Sequence, residues 1–292
     1  MDDLYESKIE GVIETDELCV GKGVVVERDV LITGRTGPAR MVVLGDFCYI
    51  GRETKIIAPE FRLGDYSKLH AFSFASGKLP MQIGRNCWIG GNTVLDSIGG
   101  LDIDDNVGIG AHSQIWTHIQ FGDIVEGSRF YSKKYMWIEK DAWFVGHCIV
   151  SPVRVGEKSM AMVGSVIAKD MLPNHIYAGV PAVDLSHKLG YQFEPRTTEQ
   201  KAAKLQELID TFIENHSTYK EQLFVAQSPH ERPEGMCCFD VSRRTYTRTY
   251  SAAEVAFLKA YVPLIKFTPE GEPPFVAPQQ VLEPFQENEY EE

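Results

Sequence analysis

His118 closes the segment IDDNVGIGAHSQIWTH and stands three residues after Ile115. Imidazole has an ordinary pKa near neutrality, so it can take the proton of an amine or hydroxyl as that group attacks a carbonyl. The plain alternative is a solvated histidine at a corner. His112 and His147 make a second group, each three residues past an apolar position, Ile109 and Phe144, and Asn92 follows Ile89 in the same way. Equal offsets predict that these three stack on successive turns of a repeat. The resulting polar ladder would contact a substrate or assist His118. Stacked histidines also suit a zinc site completed by a third histidine, but the offsets put His118 on a different face from the other two. Asp123 and Glu126 lie in the polar stretch after His118, where they could orient a base or bind a cationic group; loop acids are otherwise simply solvated. Cys148 has no histidine arranged to activate it and reads as a packed thiol.

A repeat must position these residues. An aliphatic or other apolar residue recurs every six positions, as Val20, Val26, Ile32, then Leu44, Ile50, Ile56, and so on through Val155, Ala161, Ile167. A helix wants apolar residues three and four apart, and a lone strand wants strict alternation. A period of six suits a short strand and a corner. Three such steps return the chain to its start, with each register residue pointing into a triangular prism. Gly, Asp and Asn cluster just after the register positions, as sharp corners require. About seven coils at the strand spacing give a prism roughly 30 Å tall. The register advances by 35 residues between Ile103 and Ile138, against 17 to 24 elsewhere, so a loop from about Ile119 to Met136 is ejected. Loops are where such scaffolds carry function.

The rest of the chain departs from the repeat. A helix is predicted from a cap at Thr197 or Thr198, with Ala202, Leu205, Leu208, Ile209, Phe212 and Ile213 on its apolar stripe. Strand-like MCCFDV and RTYTRTY and a short helix SAAEVAFLKAYV follow. The expected division is a β-helix domain over 1–190 and an α/β extension over 191–292 that ends in an extended acidic tail.

With 292 residues, 43% hydrophobic, and a formal net charge of −12, the composition is that of a globular protein. An acidic chain without a basic run offers no general route to nucleic acid. No apolar stretch reaches the ~20 residues of a membrane span. The acidic start MDDLYESKIE has no leader pattern, and the six cysteines contain no CxxC pair, so a reduced cytoplasmic setting is expected. Phosphate-loop, dinucleotide, HExxH and GxSxG patterns are absent from the sequence.

Three segments, IDDNVGIGAHSQIWTHIQFGD, DAWFVGHCIVSPVRVGE and SVIAKDMLPNHIYAGVPA, resemble those of the hexapeptide-repeat acyltransferases, sugar acetyltransferases among them. The resemblance spans about Val20 to Lys188. It implies a left-handed parallel β-helix that assembles as a homotrimer, with each active site between two prisms and the ejected loop of one subunit reaching over the next. It also implies acetyl-CoA as co-substrate and no metal. His118 would be the catalytic base. Asn92, His112, His147, Asp123 and Glu126 would contact the acceptor. The backbone at Gly146, Gly164 and Ala178, the Pro181 turn and the Lys169 ammonium would hold the coenzyme. Val145 and Val153 depart from the family's glycines, and the C-terminal extension lies outside its common pattern.

The expected reaction is acetyl transfer to the amino group of a nucleotide-linked sugar, for bacterial surface polysaccharide such as lipopolysaccharide. A sugar hydroxyl is the near alternative acceptor. A carbonic anhydrase-like zinc lyase and a non-catalytic trimeric scaffold are the rivals from other classes.

Overall fold

The computed structural model describes residues 4–280. They divide into two compact units: residues up to Phe193 together with those from Phe275 form one, and Glu194–Pro274 the other. The expected extended acidic tail falls mostly on 281–292, outside the described residues. Of its earlier part, residues up to Pro274 group with the extension and Phe275–Gln280 with the first unit. No helix among the described residues is long and apolar enough to cross a membrane.

The first unit is a left-handed parallel β-helix. Strands from Lys8–Ile9 to Ile176–Gly179 stack into its first face, and strands from Val12–Ile13 to Val166–Ile167 into its second. The third face runs from Thr15–Val20 to Met136–Ile138, and single bridges at Val155 and Met171 extend it. Pairing keeps each inward residue over its equivalent, so Leu69 lies between Ile50 and Ile89. From Val26 to Ile167 every register residue is at most 1% exposed. Burial of these side chains is the main stabilising term, at about 1.5–3 kcal/mol for each large aliphatic.

The second face has eight strands, so there is one coil more than the register counted. The extra coil is the first, Lys8–Val20. Its Ile9 is 40% exposed and its Val20 38% exposed, which makes Val20 the exception among the register positions. A terminal coil has a neighbour on one side only, so its inward side chains remain partly open.

The corners explain the residue types at them. Three residues past each inward position of the first face the backbone turns through a positive φ: 61° at Asp29, 57° at Glu53, 62° at Phe72, 57° at Asn92, 61° at His112, 52° at His147 and 72° at Gly164. Gly, Asn, Asp and His tolerate that region best and fill five of the seven corners, while Glu53 and Phe72 adopt it without that advantage. The third face is partly covered on its outer side by Phe275–Gln280. There Gln82 donates to the Ala277 carbonyl at 2.7 Å, and the Gln279 amide donates to Asp102 at 2.8 Å.

In the second unit the expected helix runs Thr198–Asn215, with Thr197 and Gln200 making a reciprocal capping box. Ala202, Leu205, Ile209 and Phe212 are its buried stripe, while Leu208 and Ile213 are half-buried. A four-stranded sheet contains Cys237–Asp240 and Thr245–Tyr246, and a second helix spans Ala252–Tyr261. Glu254 in that helix is buried and accepts from Thr249 N, Thr249 Oγ1 and Tyr250 N.

Candidate active site

His118 sits where the second face would turn into the third. The expected loop is a β-hairpin: His118–Gln120 pairs antiparallel with Tyr131–Lys133, with His118 opposite Lys133. Its tip presents Phe121, fully exposed, together with exposed Val125 and Phe130. Asp123 is spent on the tip itself, since its Oδ1 accepts from the Val125 amide at 2.8 Å and the Glu126 amide at 3.3 Å. Glu126 is exposed, and in the described structure neither acid is hydrogen-bonded to His118.

The His118 ring is partly exposed, 22% for the side chain, and its Nδ1 lies 2.8 Å from Asp96 Oδ2. Asp96 is buried on the coil below. The same Oδ2 accepts from the Thr117 amide at 2.8 Å and Thr117 Oγ1 at 2.5 Å, and Oδ1 accepts from the Ile98 amide at 3.2 Å. Thr117 Oγ1 in turn accepts from the Gly99 amide at 2.9 Å. An ionised carboxylate only accepts, so Nδ1 carries the hydrogen and the neutral ring keeps Nε2 as its lone-pair nitrogen. Trp116 stands edge-on to the ring at 6.3 Å between centroids, and its Nε1 donates to Gln114. The site is therefore an oriented imidazole at the foot of a hairpin.

Asp96 was not among the expected residues. It follows the inward Leu95 by one, while His118 follows Ile115 by three, so equal-offset stacking pairs Asp96 with Trp116 instead. Only the departure of the hairpin brings the carboxylate under the imidazole.

The ladder forms at another corner, between the first and second faces. The His112 and His147 rings stack at 4.8 Å between centroids and 18° between planes. Asn92 is one coil below, and all three are exposed. The main chain ties the column together, with His112 N donating to Gly91 O, His147 N to Ala111 O and Gly164 N to Gly146 O. Gly146 is buried with its carbonyl so engaged, whereas Gly164 is exposed and a Cβ there would meet nothing within 4 Å. Ala178 lies in the hairpin of Ile176–Gly179 and Ala182–Asp184, whose turn holds Pro181 after a cis peptide bond. Lys169 is exposed near the same end. The structure thus sets the expected coenzyme residues along the upper part of the prism. The ladder expected to meet the acceptor and His118 occupy different corners of one chain. Cys148 is buried with Sγ against main-chain carbonyls.

No family model matches the chain. Among curated proteins it is 29% identical over 113 residues to the galactoside O-acetyltransferase of Escherichia coli strain K12, which covers 38% of this chain and 54% of that protein. The chain thus spans about half the length of the curated relative it matches. Among solved structures, an N-acyltransferase, AntD of Bacillus cereus, bound to dTDP-4-amino-4,6-dideoxyglucose and coenzyme A, is 16% identical with a TM-score of 0.42, over 68% of this chain and 91% of that one. A hexapeptide-repeat acetyltransferase of Vibrio cholerae bound to acetyl coenzyme A is 21% identical with a TM-score of 0.34, over 49% and 68%. The chain resembles the hexapeptide-repeat acyltransferases.

Proposed function

We propose that the protein is a coenzyme A-dependent acetyltransferase that acts as a homotrimer on the amino group of a nucleotide-linked sugar. The observation that carries this reading is the His118–Asp96 pair, a partly exposed imidazole held by its Nδ1, which leaves Nε2 as the nitrogen for an acceptor. His118 Nε2 takes the acceptor's proton as the amine nitrogen attacks the thioester carbonyl. The tetrahedral oxyanion collapses, the carbon–sulfur bond breaks, and the imidazolium returns the proton to the leaving thiolate. The products are the amide and free coenzyme A. Asp96 stabilises the imidazolium between the two steps.

The separation of the two corners supports the trimer. Within one chain His118 and the His112–His147 ladder lie on opposite edges of the second face, so a neighbouring prism is needed to bring such edges together. Phe74 and Ile149 on that face and Val163 at its edge are exposed, and the hairpin tip is apolar. Large exposed apolar patches mark interaction surfaces, and cyclic packing of identical prisms would cover these.

A sugar hydroxyl is the second reading for the acceptor, favoured by the name of the curated relative. The chemistry at His118 is the same for either nucleophile. Synthesis of surface polysaccharide is the setting that fits a nucleotide-linked amino sugar.

The test is a thermal-shift screen with acetyl-CoA alone and with nucleotide-linked amino sugars and plain sugars, with thiol release read in parallel. Stabilisation by acetyl-CoA and thiol release with one amino sugar would establish the reaction and acceptor class. Absence of any response to acetyl-CoA would sink the reading, and zinc content of unchelated protein would then separate a lyase from a scaffold.

A further inference from the structure

A cavity of about 690 Å³ opens at the base of the hairpin, lined among others by Gly99, Lys133, Lys134, Tyr135, Arg154 and Asp170. Its volume falls in the range of small-molecule sites. Two of its residues tie it to the candidate base. Lys133 is directly opposite His118 in the antiparallel ladder, which places their side chains on one side of the hairpin with Cβ atoms about 4.5–5.5 Å apart. Gly99 donates to Thr117 Oγ1, the hydroxyl that also bonds Asp96.

The lining has a charge sign opposite to that of the chain. Among the described residues Lys133 and Lys134 line it with one carboxylate, Asp170, in a protein of net charge −12. Asp170 is partly committed, since its Oδ1 accepts from the Arg154 amide at 2.8 Å. The wall is also fixed in place. Tyr135 OH donates to buried Asp102 at 2.7 Å, and Gln279 donates to the same carboxylate from its amide at 2.8 Å and its Nε2 at 3.0 Å. Lysine ammonium groups hold phosphate oxygens as point charges.

We propose that this cavity is a diphosphate subsite that holds the phosphate-bearing part of a substrate while its reacting group lies at His118. The proposal rests on the acetyltransferase reading for the identity of that substrate, but the anion site itself does not. Two sources share the chemistry: the nucleoside diphosphate of the acceptor and the diphosphate of coenzyme A.

The experiment compares the full chain with its Lys133→Ala/Lys134→Ala double variant, two exposed positions at which folding is checked by the melting temperature. Calorimetric titration with inorganic pyrophosphate should show binding to the wild type that weakens with salt. In the double variant it should be at least ~10-fold weaker. In steady-state assays the variant should raise the KM of one substrate by about 10-fold or more: the nucleotide-linked acceptor if the cavity holds its diphosphate, acetyl-CoA if it holds the coenzyme's. No pyrophosphate binding to the wild type, or equal binding to both proteins, would overturn the subsite. Lysine-dependent pyrophosphate binding without acetyl transfer would overturn the acetyltransferase reading and leave the subsite standing. Robust transfer with neither KM moved would do the reverse.

Discussion

His118 Nδ1 and Asp96 Oδ2 are 2.8 Å apart although 22 residues separate them in sequence, because Asp96 belongs to the coil below. The carboxylate fixes the ring tautomer and balances the charge of the protonated ring, and Asp96→Asn tests the second role. The Thr117 amide, Thr117 Oγ1 and His118 Nδ1 all meet the one oxygen Oδ2, so an asparagine that keeps its oxygen there still accepts from Nδ1 and holds the tautomer. It carries no charge, so the imidazolium loses its counter-ion without a change of shape. Turnover should fall by about 10–10², with the KM of acetyl-CoA changed little and the melting temperature nearly unchanged. Turnover within threefold of wild type would remove Asp96 from the mechanism.

The contrast between Asp96 and His118 shows what a single sequence discloses here. The prism core was legible because stacking repeats its demand: each coil needs an apolar residue over the last, and Leu69 or Ile109 could hardly be anything else. Corner residues were legible for the same reason. His112 and His147 share an offset, and their rings do stack. The first coil was not legible, since a terminal coil tolerates exposed positions such as Ile9 and the period fades there. The hairpin and Asp96 were not legible either, because a departure from the repeat is the one place where offset arithmetic no longer predicts neighbours. The return of Phe275–Gln280 onto the third face depends on partners nearly 200 residues away, Gln82 and Asp102, which no local pattern encodes.

His112 and His147 both occupy left-handed corners, so their identity has two possible causes: tolerance of positive φ and contact with a substrate. His112→Asn and His147→Asn separate them. Asparagine already fills the equivalent corner at position 92, with φ 57°, so the fold should be retained and the melting temperature should move little. If the ladder binds the acceptor, the acceptor KM rises by about 5-fold or more while the KM of acetyl-CoA stays put. An unchanged acceptor KM would leave the histidines as corner residues.

Asp104 should make stability depend on pH in the direction opposite to a paired carboxylate. Burial raises its pKa from 3.8 to about 6, against the lowering effect of the Asp105 amide, which donates to it. Between those values the folded protein binds the proton more tightly than the unfolded chain. Its contribution is thus full below pH 3.8 and lost as the pH rises towards about 6. Asp104→Asn keeps an oxygen for the Asp105 amide and cannot ionise. The variant should be more stable than wild type at pH 7 by about 1–3 kcal/mol, with the difference shrinking towards zero at pH 4. Chemical denaturation at the two pH values reads this directly. An equal difference at both would show that ionisation is not the cause.

The two corners can be tested for cooperation across subunits by mixing. Suppose each active site takes His118 from one prism and the ladder from its neighbour. Trimers of His118→Asn chains and trimers of chains altered at both His112 and His147 would then each be defective at every site. When the two are unfolded together and refolded, a neighbouring pair of subunits has both intact halves in about one arrangement of four. Activity should recover to about a quarter of the wild-type value per site, and sedimentation should report three copies per particle. If one chain supplies both halves, every site in a mixed trimer carries one defect or the other, and mixing recovers nothing. Recovery would therefore establish the shared site. Its absence in mixed particles of the right mass would place the chemistry within a single prism and remove the main reason for expecting the trimer to be needed for turnover.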